Sequence, residues 1–259
     1  MSRMAYRMKG YGPVQAIYHS EFRAYEYKVG GIVYLSLGPG WAYHRQYLQD
    51  LLVATYNFYY LPVAGDCVVD IGAGLGEETS VYAVLVGEKG VVHSLEANPV
   101  TFGGLQYLCE QNNYRWVHPH QKAIYRTNST VHIEDDSENY LINTITENPT
   151  GTHGYQVQAI TLDTLVEESN IHRIDFMKSN VEGAEQFLIE GMEKSIKIIK
   201  HVCISCHDFR HIYHQHGEFY LTKERVIMFL EDNGFEVVNR NTGNRVIDDY
   251  VYGRNRSIV

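Results

Sequence analysis

Cysteine is scarce in this chain of 259 residues: Cys67, Cys109, Cys203 and Cys206 are all there is, too few and too scattered for a disulfide scaffold. Cys203 and Cys206 have C-x-x-C spacing, but residues 198–206 read as a buried strand, on which positions three apart face opposite sides. That placement argues against a zinc or redox pair. Positive charge is also in short supply, since 22 Lys and Arg against 31 Asp and Glu leave a net charge of −9. The chain therefore has no general electrostatic grip on nucleic acid or on an anionic membrane surface. No apolar run approaches a membrane span, and none of signal-peptide length follows the positively charged residues 1–10, which points to a cytoplasmic protein without a membrane partner. A hydrophobic content of 44% is enough for a full core, either in one large α/β domain or in a domain with an N-terminal addition.

The most informative stretch is Val68-Val69-Asp70-Ile71-Gly72-Ala73-Gly74-Leu75-Gly76, a short apolar strand that enters three alternate glycines. A helix follows, with Glu77 and Glu78 in its first turn. Glycines let the backbone turn sharply and approach a ligand closely, and a helix N-terminus offers free N–H groups. A dinucleotide fingerprint would require glycine at position 77, where this chain has glutamate. The spacing Asp70-x-Gly72-x-Gly74-x-Gly76 instead resembles motif I of class I methyltransferases, which bind S-adenosylmethionine. That ligand is a sulfonium without phosphate, and acidic residues around the loop suit it.

Residues 91–95 form a second strand that ends at Glu96, placed to accept hydrogen bonds from two ribose hydroxyls. Asn98-Pro99 then caps and starts a helix that runs to about Asn112. Residues 116–124 read as a third strand, with Ala123 near an adenine edge. A small antiparallel insertion is expected at about 128–162, with Asp135, Asp136 and Glu138 on a solvated hairpin edge. Residues 174–185 pass from a strand through polar positions into a helix closed by Gly191, with Phe187, Leu188 and Met192 inward. Polar groups at the carboxyl end of a parallel strand face the crevice of an open α/β sheet. A fifth strand ends at His207-Asp208, a helix spans 222–233, and strands at 235–239 and 248–252 close the chain.

The first sixty residues differ in composition, with 11 of the 21 tyrosines. A strand over 29–37, a break at Gly38-Pro39-Gly40 and a helix over 43–60 carrying Leu48, Leu51, Leu52, Tyr56 and Tyr59 are expected there. The tyrosines pack on the core domain or on a second copy of the chain, or else wall a substrate; the first is favoured because Tyr buries much area at low entropic cost.

The chain resembles the FkbM-type methyltransferases that use S-adenosylmethionine. Val69-Asp70-Ile71-Gly72-Ala73 with Gly76, Leu95-Glu96-Ala97-Asn98-Pro99, Thr161-Leu162-Asp163 and the run from Lys178 to Glu185 carry the resemblance, in the family's order. It implies an α/β, Rossmann-like class I methyltransferase fold: a mostly parallel seven-stranded sheet, helices on both faces, a C-terminal antiparallel hairpin and an N-terminal addition. The domains are then 1–60, a Tyr-rich lid or oligomer contact, and 61–259, the S-adenosylmethionine domain. The cofactor residues expected are Asp70, Gly72, Ala73, Gly74, Gly76, Glu96, Ala97, Ala123 and Asn180. One departure stands out: the family usually has aspartate where this chain has Asn180, and an amide neither takes a proton nor holds a cation strongly.

The expected activity is O-methylation of a small hydroxyl-bearing molecule such as a sugar, polyketide or other natural product, with no nucleic-acid partner. His207 is the expected base, Glu182 orients the acceptor or shares its proton, and Lys178 is placed by charge pairing. A divalent metal is not favoured; if present, it would be held by His207, Asp208 and Glu182, with His211, His214 and His216 nearby. Two alternatives are a cofactor-binding module with little or no turnover, raised by Asn180, and an NAD-dependent oxidoreductase, opposed by Glu77.

Overall fold

The computed structural model describes residues 4–8, 12–38, 45–134, 145–146, 154–214 and 217–258. The chain opens with an antiparallel meander of β1 (Met4–Met8), β2 (Gly12–His19), β3 (Ala24–Val29) and β4 (Ile32–Ser36), followed by helix α1 (Arg45–Ala54). Alternating elements follow: β5 (Cys67–Ile71), α2 (Glu77–Val86), β6 (Val91–Leu95), α3 (Pro99–Gln111) and β7 (Val117–His120). Short strands β8 (Ala123–Ile124), β9 (Ser129–Glu134), β10 (Ile145–Thr146) and β11 (Gly154–Ile160) make a second sheet. The chain continues through α4 (Leu162–Glu168), β12 (Ile174–Asn180), α5 (Glu185–Glu190), β13 (Ile199–Ser205), α6 (Asp208–His214) and α7 (Lys223–Asp232). It closes with β14 (Phe235–Asn239), the single turn α8 (Arg245–Asp248) and β15 (Tyr250–Asn255).

The central sheet has the order β14-β15-β13-β12-β5-β6-β7, in which β15 alone runs against its neighbours. All five residues of β5 are buried, as a strand covered on both faces requires. Val68 faces one core with Phe176 and Cys203, whereas Val69 and Ile71 face the other with Met177, Val202 and Ile204. This is the doubly wound, mostly parallel seven-stranded arrangement of a class I methyltransferase, with its C-terminal antiparallel hairpin. Cys203 and Cys206 belong to opposite cores, each a free buried thiol.

The Tyr-rich segment holds three strands more than its sequence announces. Gly30 and Gly31, at φ +59° and +87°, turn a two-residue hairpin that pairs Val29 with Ile32, so the strand read over 29–37 is β4, starting at Ile32, and β3 ends at Val29. The helix read over 43–60 ends at Ala54, because Asn57 turns inward, donating to the Tyr60 carbonyl and accepting the Tyr82 hydroxyl. Residues 39–44 lie outside the described residues. The meander packs into the core rather than standing apart: Tyr27, Tyr34, Leu35, Leu48 and Leu52 share one apolar cluster with Tyr82, Leu105 and Leu108. Asn112 clamps Val33 through both its amide groups at 2.8 Å, and Tyr107 donates to Glu26 at 2.7 Å. Residues 1–60 and 61–259, distinct in composition, thus share a continuous core.

The third strand read over 116–124 divides in two. β7 is the edge of the central sheet, while β8 pairs in parallel with β11 of the small sheet, where β9 and β11 run antiparallel. Asp135, Asp136 and Glu138 lie outside the described residues. No helix among the described residues is long and apolar enough to cross a membrane.

Candidate active site

The site is built on the loop from β5 to α2. Gly72, Gly74 and Gly76 all sit at positive φ, at +74°, +56° and +93°. A Cβ on Gly72 would stand 2.0 Å from the Asn180 carbonyl oxygen, so the first glycine exists to let β12 pass. Asp70 and Lys178 lie beneath this loop, with side chains 0% and 1% exposed, 3.0 Å apart. The Lys178 ammonium also donates to the Gly72 carbonyl at 2.9 Å, and Asp70 accepts the Thr79 hydroxyl at 2.7 Å. Burial opposes the lysine's charge, but the Asp70 and Glu78 carboxylates more than offset it and keep the ammonium well protonated. Lys178 is charge-paired, and it pins the loop from below.

Above the loop opens a cleft of about 260 Å³, the size for a small molecule. Of the residues singled out from the sequence, Gly72, Ala73, Gly74, Glu96, Ala97, Ala123, Asn180 and Glu182 line it. Asp70, Gly76, Lys178, His207 and Asp208 do not reach its wall. Glu96 follows β6 and is held by two backbone N–H groups, those of Gly74 and Asn98, each at 2.8 Å. Burial raises its pKa, and these two bonds counter the rise. Glu77 and Glu78 line the cleft as well, and burial together with the neighbouring Glu78 pushes Glu77 up to about 8. Asn180 donates its amide to the Tyr56 hydroxyl at 3.1 Å, while its Oδ1 is buried without a hydrogen-bond partner.

Glu182 is one of the few non-glycine residues at positive φ, +53°, and is followed by Gly183 at +96°. Such a conformation costs about 1–3 kcal/mol and persists only where the surroundings hold it. Here they do. Arg210 reaches Glu182 Oε2 at 2.6 Å and His207 Nε2 reaches it at 3.4 Å. His207 Nδ1 in turn meets Glu185 at 2.8 Å, and Glu185 accepts the Thr222 hydroxyl at 3.0 Å and the Gly183 N–H at 3.1 Å. Burial works against a charge on His207, but Glu185 and Glu182 override it and push the ring up to about 10. His207, the expected base, lies off the cleft wall with Nδ1 bonded to Glu185 and Nε2 facing Glu182, and the charged ring these carboxylates favour has no lone pair to accept a proton.

The metal trio of His207, Asp208 and Glu182 is not assembled either. Asp208 turns away to accept the Thr222 and Lys223 N–H groups at 2.9 and 3.0 Å at the start of α7. Among the described residues no three His, Cys, Asp or Glu side chains gather as a metal site; His216 lies outside them. The sequence placed Leu48, Leu51 and Tyr56 on one helix and favoured packing for them; the structure sets Leu48 and Leu51 on the cleft wall and brings the Tyr56 hydroxyl to Asn180 from across the fold.

Known proteins resemble this chain in sequence or in fold. Methyltransferase 1 of Beauveria bassiana (strain ARSEF 2860) is 27% identical over 193 residues, which cover 66% of this chain and 72% of that protein. Among solved structures, an O-methyltransferase from Bacillus cereus in complex with SAH superposes with TM-score 0.50 at 12% identity, over 85% of this chain and 84% of that one. A methyltransferase FkbM from Methylobacillus flagellatus KT superposes with TM-score 0.49 at 14% identity; the match takes in 81% of this chain and spans half, 50%, of that longer chain. Glu77 on the cleft wall is a poor neighbour for the pyrophosphate of a dinucleotide, and the NAD-dependent alternative falls altogether with the family match. Residues 70–237, the greater part of the chain, from the end of β5 into β14, match the methyltransferase FkbM domain, and this chain belongs to that family of methyltransferases.

Proposed function

We propose that this methyltransferase transfers the methyl group of S-adenosylmethionine to a hydroxyl of a small molecule. The observation that carries the acceptor class is the charge of the cleft. Among its described lining residues Glu77, Glu78, Glu96 and Glu182 face a single cation, Lys122, which is itself paired with Glu168 at 2.8 Å. A polyphosphate acceptor such as nucleic acid meets like charge here, on a chain whose net charge is −9. A neutral hydroxylated molecule meets none.

The residues present also fit the cofactor. S-adenosylmethionine brings a sulfonium, an ammonium and two ribose hydroxyls, groups that seek carboxylates and carbonyl oxygens, and when bound it supplies an electrophilic methyl. Glu96 is oriented by Gly74 and Asn98, and each of its oxygens retains a lone pair for a ribose hydroxyl. On the acceptor side Glu182 stays ionised, because its hydrogen bond from His207 and the charges of His207 and Arg210 overcome its burial. Those contacts fall on Oε2 and leave Oε1 for the acceptor's O–H. With S-adenosylmethionine bound, methyl transfer would make the acceptor hydroxyl strongly acidic, and the Glu182 carboxylate, even as a weak base, would take its proton. Lys178 and His207 act from beneath, one by fixing the loop and the other by fixing Glu182.

The test combines calorimetry with radiolabelled methyl transfer to hydroxylated small molecules and to short RNA. Glu96→Gln is expected to weaken S-adenosylmethionine binding about tenfold. Glu182→Gln is expected to leave that binding within about twofold while lowering kcat by about 100-fold or more. Methyl transfer to RNA in preference to small molecules would overturn the acceptor class, and binding without transfer to any hydroxyl would favour a module without turnover.

A further inference from the structure

We propose that Tyr56, supplied by the Tyr-rich N-terminal segment, is a positioning residue that aims Asn180 at the ammonium group of the methyl donor. The inference rests on the donor-site reading above. Tyr56 lies just beyond α1 and is locked in place on two sides: its ring stacks on Tyr250 with centroids 5.0 Å apart and planes at 15°, and the Lys178 ammonium lies 5.1 Å from its centroid. Its hydroxyl accepts the Asn180 amide at 3.1 Å, a contact between positions 124 apart in the chain. With the amide nitrogen committed to Tyr56, the carbonyl end of Asn180 is the end left for a ligand. That oxygen is buried and has no hydrogen-bond partner, on a residue that lines the cleft. A buried carbonyl without a donor is a standing cost that an incoming N–H or O–H relieves.

The sheet order identifies which group brings that hydrogen. Glu96 follows β6 and Asn180 ends β12, and these strands are the two neighbours of β5. A ligand held across the β5 glycine loop with its ribose on Glu96 therefore has its amino-acid end on the side of Asn180, where the ammonium is the hydrogen-bond donor. The neutral amide also makes chemical sense there. Glu77, Glu78, Glu96 and Glu182 already crowd the cleft, and a carboxylate at 180 would add a fifth acid to a wall so crowded that burial and Glu78 force Glu77 up to about 8. Asn180 recognises a cation's N–H without that repulsion, provided Tyr56 keeps the oxygen forward.

The experiment is calorimetric titration of the full chain and of Tyr56→Phe, Asn180→Ala and the double variant, with S-adenosylmethionine and with 5′-methylthioadenosine, which lacks the amino-acid portion. Asn180→Ala is expected to raise the Kd for S-adenosylmethionine about tenfold, and Tyr56→Phe about fivefold. The double variant is expected to be no weaker than Asn180→Ala alone, since Tyr56 acts through Asn180. Affinity for 5′-methylthioadenosine should stay within about twofold throughout. Unchanged binding by Tyr56→Phe, additive losses in the double variant, or equal losses with 5′-methylthioadenosine would each overturn the inference. If the unaltered chain binds no S-adenosylmethionine, the donor-site reading fails first and takes this inference with it.

Discussion

Lys178→Met is the sharpest perturbation of this site. The side chain it replaces is an ammonium 1% exposed, paired at 3.0 Å with a carboxylate that is 0% exposed, on the strand pair β12–β5 where Lys178 and Asp70 are register partners. Methionine fills similar volume but leaves Asp70 charged, buried and balanced only by the Thr79 hydroxyl. Breaking a buried pair on one side costs about 3–5 kcal/mol, because the surviving charge is stranded. For a chain of this size each kcal/mol lowers Tm by about 2–4 °C, so a fall of about 10 °C is expected in a thermal unfolding scan. Adding Asp70→Asn should recover at least half of that loss. The amide oxygen still accepts from Thr79, and no charge remains to be compensated. An unfolding temperature within about 2 °C of the unaltered protein, together with lost methyl transfer, would refute the reasoning and move Lys178 from beneath the loop into the chemistry.

Two further outcomes follow from the same geometry. His207 titrates at about 10 in the folded chain against an ordinary 6.5, so the folded state holds a proton that the unfolded chain releases across that interval. The His207 contribution should be full below about pH 6.5 and fall as pH rises toward 10, by at most about 1.4 kcal/mol per pH unit. Glu77, raised to about 8, contributes a decline of the same sign below that value, and the thiols of Cys67, Cys109, Cys203 and Cys206, all raised by burial, contribute one above about pH 9, so His207 is the main source of slope between pH 8 and 9. In urea unfolding between pH 8 and 9, His207→Gln should remove most of the slope; an unchanged slope there would show that the pairing with Glu182 and Glu185 is not its source. Gly72→Ala places a Cβ 2.0 Å from the Asn180 carbonyl oxygen at φ +74°, and should yield little folded protein in a soluble-expression and circular-dichroism comparison. Gly30→Ala, at φ +59° with no atom within 4 Å of the added Cβ, should cost only about 1 kcal/mol.

Much of the frame is local and therefore legible. Asn98 caps α3 through its own side chain, accepting the Val100 N–H at 2.8 Å, and Pro99 opens the helix. Strands β5, β6, β12 and β13 lie within a residue or so of where apolar runs end in glycine, acid or polar residues. The N-terminal meander was less readable, because its register depends on a Gly-Gly hairpin and on Asn112, 79 positions from Val33. A tyrosine on a strand and a tyrosine on a helix look alike until something packs on them.

By itself, then, the sequence determined the order of the sheet-building units, the glycine loop and the acidic end of β6, since backbone conformation, capping and periodicity act over a few residues. Only the tertiary structure decided what those residues do. It sealed Asp70 and Lys178 under the loop, 108 positions apart in number but adjacent in the sheet, and brought Tyr56 to Asn180 over 124 positions. It also set the proton on His207 by placing carboxylates against both ring nitrogens. Burial and Coulomb interaction are fixed by distance in space, which the order of residues does not record.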